Sequence, residues 1–311
     1  MTKNWPNCYS AKTSYKTIAP PNDSLHLRHT LSTDWVILLT MSNVVTKVTR
    51  PNGQTQQWQS LLTNRNKRSQ TKKFIVEGVR PINSALAQDY EVDSLLYVST
   101  KLSDWAAKIV SQQSAGKLYE LSPEIMRELS EKNESLPELL LIVKNKELSL
   151  SKIKTSNLRS DMILVLDRPQ NPGNIGAVVR SADALGAALV IITGHSADAY
   201  DPKSIRASRG SLFALPIVAA ESPKDVQLWA NQAKHNFTIV GLSEDSNDNL
   251  WDYDLTQPTI AVIGNETWGL SKQWKEVADS IALIPMKGTA SSLNAASSAA
   301  IVMYEYARQC K

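Results

Sequence analysis

From residue 44 onward, hydrophobic positions fall into short continuous runs separated by segments of helical period; residues 1–43 show no sustained period. That first stretch is polar and rich in Thr, Ser, Asn and Pro, and reads as a disordered leader, or as an over-long gene start with Met41 the true initiator. Residues 44–146 then alternate. A short helix through Leu61 and Leu62 is followed by a basic loop, a strand at "KFIVEG" and a helix opening near Pro81. Strands at "DSLLYVS", "GKLYELS" and "ELLLIVKN" enclose helices at "SDWAAKIVSQQS" and "PEIMRELSE", which predicts a small α/β domain.

The polar stretch 147–160 reads as a linker, and the alternation beyond it, over 161–311, is cleaner. Strands "MILVLD", "ALVIIT", "ALPIVA", "FTIVGLS", "TIAVIG" and "SIALIPM" are continuous Val/Ile/Leu runs, with helices at "NIGAVVRSADALG", "DVQLWANQAKH", "KQWKEVAD" and the C-terminus. Runs apolar on both faces indicate a parallel sheet covered by helices on each side.

Charge changes this picture locally. The 311-residue chain carries 34 Lys+Arg against 30 Asp+Glu, a net +4 that says little about partners. Between Val44 and Arg80, however, eight basic residues stand against one acid, Glu77. This segment is either a solvated basic face or a polyanion contact. The two cysteines, Cys8 and Cys310, offer neither a disulfide framework nor metal-ligand spacing, which fits a reducing cytoplasm and predicts no metal. The run "WVILLTM" is too short to span a bilayer, so no membrane segment is expected.

Open parallel sheets bind ligands at the carboxyl ends of their strands, and three strand ends here carry unusual loops. In "LDRPQNPGNIGAVVRSADALGA", two prolines and two glycines set a tight turn, Asn174 is placed to cap the helix, and Arg180 lies one to two turns into it. The others are "VIGNETWGLS" and "IPMKGTASSLN". None contains a phosphate-binding GxxxxGK[ST] loop or a GxGxxG fingerprint, which disfavours a nucleotide-binding oxidoreductase.

In order and spacing, the three loops resemble the signature motifs of the SpoU-type (TrmH-like) RNA ribose 2′-O-methyltransferases of the SPOUT class. The resemblance covers about Asp161 to Gln309. "SIRASRGSLFALPIV" is similar to the family's segment between the first two motifs, and "SLLTNRNKRSQTKKFIVEGVRPINSAL" to the opening of its ribosomal-protein-like substrate-binding domain. It implies S-adenosyl-L-methionine bound in a C-terminal trefoil knot, a homodimer, and RNA as substrate, rRNA rather than tRNA because of the extra N-terminal domain. By motif position, Asn174, Arg180, Glu266, Ser292 and Asn294 fall on the polar active-site positions. Thr193, Gly194, Gly264, Ile284, Met286 and Leu293 fall around the cofactor. Arg65, Lys67, Arg68, Lys72 and Lys73 are the candidate RNA contacts.

Two departures stand out: the bulky Trp268 in the second motif, and an Ala/Ser run, "SLNAASSAA", in the third. Methyl transfer from a sulfonium to a hydroxyl is an in-line displacement in which positioning supplies much of the rate. A guanidinium keeps its proton at neutral pH, so Arg180 suits orientation and charge stabilisation better than proton abstraction. The competing reading is a non-catalytic RNA-binding protein that keeps the knotted domain as a dimerisation scaffold.

Overall fold

The computed structural model describes residues 44–310 apart from 101, 113–115, 131–135 and 234–235. The leader expected at 1–43 lies outside the described residues. The N-terminal unit runs β1 (Val45–Val48), α1 (Gly53–Thr63), α2 (Arg65–Thr71), β2 (Lys73–Glu77), α3 (Val79–Ala87) and β3 (Val92–Tyr97). It continues with α4 (Asp104–Gln112), β4 (Lys117–Leu121), α5 (Pro123–Glu128) and β5 (Leu139–Lys144). Its five strands form one mixed sheet in the order β1-β4-β3-β5-β2, with β5 antiparallel to both neighbours.

The stretch expected as a basic loop is a helix. Asn64 turns extended between α1 and α2, and its side chain accepts from Lys67 N, capping the second helix at once.

The C-terminal unit contains β6 (Met162–Asp167), α6 (Pro172–Ala184), β7 (Leu189–Thr193), α7 (Pro202–Ser208), α8 (Ser211–Ala214) and β8 (Ile217–Ala220). Then follow α9 (Pro223–Asn231), β9 (Thr238–Leu242), β10 (Thr259–Ile263), α10 (Lys272–Val277), β11 (Ser280–Ala282) and α11 (Ala295–Gln309). All pairings in its six-stranded sheet are parallel, in the order β11-β9-β10-β6-β7-β8. Met162 to Asp167 are buried throughout, as a strand covered on both faces requires.

The strand expected over "SIALIPM" ends early. Beyond Ala282 the chain leaves the sheet, and Leu283 instead exchanges backbone hydrogen bonds with Asp248 and Leu250 in the loop after β9.

The two units share a core. Phe74 of β2 packs against Tyr200 with ring centroids 4.7 Å apart, and Tyr90 meets Phe213 edge-on at 5.0 Å. Burial pushes the Tyr90 phenol up to about 12 and raises that of Tyr200 further. The stretch expected as a linker is docked: Ser149 bridges to Ala219 beside β8, Leu150 is buried, and Ile153 O accepts from Trp229 Nε1 at 2.9 Å.

Candidate active site

The site is built where β6, β10 and the chain after β11 end. Asp167, buried at the end of β6, accepts from Nε and Nη2 of Arg168 at 3.0 Å each and from Ser271 N at 2.7 Å. Arg168 has φ 51°, a left-handed backbone conformation, and its guanidinium is engaged by the carboxylate of its own chain neighbour. The same guanidinium donates to Gly269 O, and Arg168 O accepts from Asn265 Nδ2 at 2.7 Å. Asn265 Oδ1 in turn accepts from Thr267 N and Trp268 N, and Asn265 pairs with Gly269 through the backbone.

The loop after β10 is therefore a closed turn fastened to the loop after β6. Gly264 has a steric reason within it: a Cβ there would lie 2.5 Å from the carbonyl carbon of Gly269. Arg168 was not singled out by sequence; the charge at a buried strand end in "LDRP" is the signal that could have found it.

From this turn Glu266 reaches the start of α6. Its carboxylate accepts from Asn174 Nδ2 at 3.0 Å, Gln170 N at 3.2 Å and Asn171 N at 3.4 Å. Asn174 Oδ1 accepts from Asn294 Nδ2 at 3.2 Å, and Asn294 Oδ1 caps α11 by accepting from Ala296 N at 2.8 Å. Three expected site residues from three distant segments thus form one hydrogen-bonded chain. Burial opposes ionisation of Glu266, but the hydrogen bonds from Asn174 and the backbone, including its own N–H, outweigh it, so its pKa lies below the usual carboxylate range.

Asn174 does not cap α6 as expected. Asn171 does, accepting from Gly173 N, because Pro172 already occupies the first helical position; this leaves the Asn174 amide free to bridge. Arg180, on α6, and Ser292, before α11, are exposed and make no side-chain hydrogen bond with a described residue.

A cleft beside this cluster brings together Ile284, Met286 and Leu293 with Ser292. Its other wall, unanticipated, comes from the end of β9: Leu242, Ser243 and Glu244. The rule that ligands lie at strand ends, applied to β9, would have found it. The cleft combines apolar side chains on both walls with serine hydroxyls and one carboxylate, a lining compatible with a mostly apolar ligand that carries polar groups.

The Thr193 side chain is turned inward. It is 1% exposed, and its hydroxyl accepts from Trp274 Nε1 at 3.1 Å, so its side chain holds β7 to α10. Gly194 makes room for Arg168, whose Cγ lies 2.7 Å from where a Cβ would sit. Neither of these, nor Gly264, lines the cleft.

Within the basic segment, Arg68 does not meet its expectation as a contact for RNA. Arg68 is 5% exposed and pairs through Nε with Asp198 at 2.6 Å and through Nη2 with Asp201 at 3.1 Å, besides donating to Leu61 O and Leu62 O. It fastens the two units together and presents no charge to solvent. Lys72 pairs with Glu147 and Lys73 with Asp93, while Arg65 donates to Ser196 O. Lys67 lies half-buried on α2.

Among the described residues no cluster of metal-ligating side chains occurs, and no helix is long and apolar enough to cross a membrane.

Residues 161–304 match the SpoU rRNA Methylase family, and residues 52–141 match the SpoU L30e-like domain. The 23S rRNA (uridine(2479)-2′-O)-methyltransferase of Streptomyces viridochromogenes is 45% identical over 268 residues, spanning 85% of this chain and 92% of that protein. The crystal structure of the SpoU methyltransferase AviRb from the same organism, with AdoMet, has a TM-score of 0.77 at 44% identity and covers 83% of this chain and 98% of that one. An AdoMet-bound rRNA methyltransferase from Sinorhizobium meliloti has a TM-score of 0.74 at 28% identity, covering 85% and 98%. The 23S rRNA (guanosine(2553)-2′-O)-methyltransferase RlmP of Bacillus subtilis (strain 168) is 27% identical over 81% of this chain and 95% of its own. With both units matched in order and the motif residues gathered at one set of strand ends, the chain belongs to the SpoU rRNA methylase family.

Proposed function

We propose that the protein is an S-adenosyl-L-methionine-dependent methyltransferase that methylates a ribose 2′-hydroxyl in rRNA. The observation that carries this reading is the Asn294–Asn174–Glu266 chain at the edge of the cleft lined by Ile284, Met286 and Leu293. When bound, the cofactor supplies an electrophilic methyl group, and the protein's task is to hold the hydroxyl in line with it. Glu266, with its pKa lowered, is a weak base at neutral pH and serves to fix Asn174 and the start of α6. Arg180 extends from the exposed face of that helix, where its guanidinium orients the hydroxyl or the adjacent phosphate and stabilises developing negative charge.

Incubation with isotopically labelled cofactor and unmodified 23S rRNA, followed by nuclease digestion and mass spectrometry, should yield a 2′-O-methylnucleoside. Arg180→Ala should lower methylation by about 10²-fold or more while calorimetric cofactor affinity stays within a few-fold. Wild-type protein that binds the cofactor yet transfers no methyl group to rRNA would sink the enzyme reading.

The knot and the homodimer belong to the same proposal. In support of the knot, β11 and the residue after it are gripped by the loop that follows β9: Ser246 Oγ and Tyr253 Oη donate to Ile281 O, and Leu283 pairs with Asn249. In support of the dimer, Leu293, two positions before α11, and Ile301 and Tyr304 on it are exposed. Light scattering should return twice the 34.3 kDa chain mass. We place the protein in the cytoplasm, with its ribosomal substrate.

A further inference from the structure

Between the two units, β2 and the start of α3 face α7 across a cavity of about 260 Å³. Ile75, Pro81, Pro202 and Ile205 form apolar walls, while Arg80, Arg206 and Arg209 bring three guanidinium groups to its rim. Glu77 is the acid among the lining residues, and it accepts from Ser130 Oγ. Arg80 and Arg209 are exposed, and neither makes an ion pair or side-chain hydrogen bond with a described residue. That contrasts with the basic segment above, where Arg68, Lys72 and Lys73 are each engaged with carboxylates.

The cavity is held open by fixed walls. The buried Arg68 pairs join the units on one side, and Ser84 Oγ donates to Gly210 O at 2.8 Å on the other. Arg209 has φ 54° and ψ 26°, a left-handed conformation that glycine adopts more cheaply, and glycine follows it at position 210. A strained, long cationic side chain aimed at a rigid cleft is a reason to look for its ligand.

Resting on the methyltransferase reading, we infer that this interdomain cleft holds an unpaired nucleotide of the RNA substrate. Arg80 and Arg209 contact the phosphate, and the base lies against the proline and isoleucine walls. Cations at the rim match a phosphodiester, and a cavity of this size with apolar walls matches a base turned out of its stack.

The test uses full-length protein, measuring binding of an unmodified 23S rRNA transcript and of a blunt RNA duplex across salt concentrations. Arg80→Ala and Arg209→Ala should each weaken transcript binding by about threefold to tenfold and shrink the salt slope by about 0.7. Arg209→Lys should restore the slope, duplex binding should be indifferent to all three variants, and calorimetric cofactor affinity should not move.

An unchanged slope overturns the inference. So does an equal loss on the duplex, an equal loss from Lys272→Ala on α10, or displacement of the transcript by equimolar adenosine monophosphate. If Arg209→Ala fails to fold, Arg80→Ala alone decides, since Arg80 lies exposed at the start of α3. Wild-type protein that methylates rRNA while Arg80→Ala/Arg209→Ala matches it refutes only the cleft. A wild-type protein that neither binds nor methylates RNA refutes the function on which the cleft depends.

Discussion

Glu266 and Thr193 were both expected at the site by motif position, yet neighbouring atoms give them different work. Glu266 gathers one side-chain amide and two backbone N–H groups of the preceding loop, so a glutamine there would turn a donor toward donors. Its pKa is lowered in the folded state, so between the folded and unfolded values the unfolded chain binds more protons and stability rises with pH. The contribution is complete above the ordinary carboxylate value of about 4.3 and disappears as pH falls through the folded value. The melting-temperature gap between wild type and Glu266→Gln should therefore be flat from about pH 6 to 8 and close in acid; a gap that widens in acid would contradict the assignment. For Thr193, replacement by Val strips the acceptor from a buried indole N–H and should cost about 1–3 kcal/mol in denaturant unfolding. Cofactor affinity should stay within about twofold, the side chain being committed to Trp274.

At the scale of elements, α6 is the piece on which the site depends, because it carries Asn174 and Arg180 and packs between α7 and α11. The approach to α7 needs Gly176, since a Cβ there would lie 2.2 Å from Ser204 O and 2.8 Å from Ala207 Cβ. Alanine would favour an isolated helix by about 1 kcal/mol. Backbone against backbone cannot give way, so Gly176→Ala should instead lower stability by about 2 kcal/mol and, by moving α6, reduce methylation. A stabilised, fully active variant would show that α6 can shift without consequence. The turn after β10 is the second such element: Asn265 closes it on itself and fastens it to Arg168, so Glu266 meets Asn174 on a prepared support.

For the whole molecule, the Arg68 pairs and the Phe74, Tyr90, Tyr200 and Phe213 rings make the two units one body with a shared core. Arg68→Ala leaves two carboxylates facing a vacated, largely buried position and should cost about 3 kcal/mol. In calorimetry it should split or broaden a single unfolding transition; a sharp transition at the wild-type temperature would mean that the aromatic contacts alone couple the units.

The sequence by itself determined the alternation of strands and helices, the parallel sheet of the C-terminal unit and the three loops that carry the site. Those features follow from local rules: continuous apolar runs need cover on both faces, and proline and glycine end them at fixed places. Asn174, Glu266 and Asn294 were legible because they sit in short motifs at strand ends.

Only the tertiary structure decided what each side chain does there. Asn171 takes the cap that Asn174 was expected to provide, Arg68 is buried as a clamp, the stretch 147–160 docks on β8, and the wall of Leu242, Ser243 and Glu244 completes the cleft. Each depends on a partner far away in sequence, such as Asp198 for Arg68 or Trp274 for Thr193. Hydrogen bonding and burial are settled by what the fold brings within about 3 Å, which periodicity along the chain cannot encode.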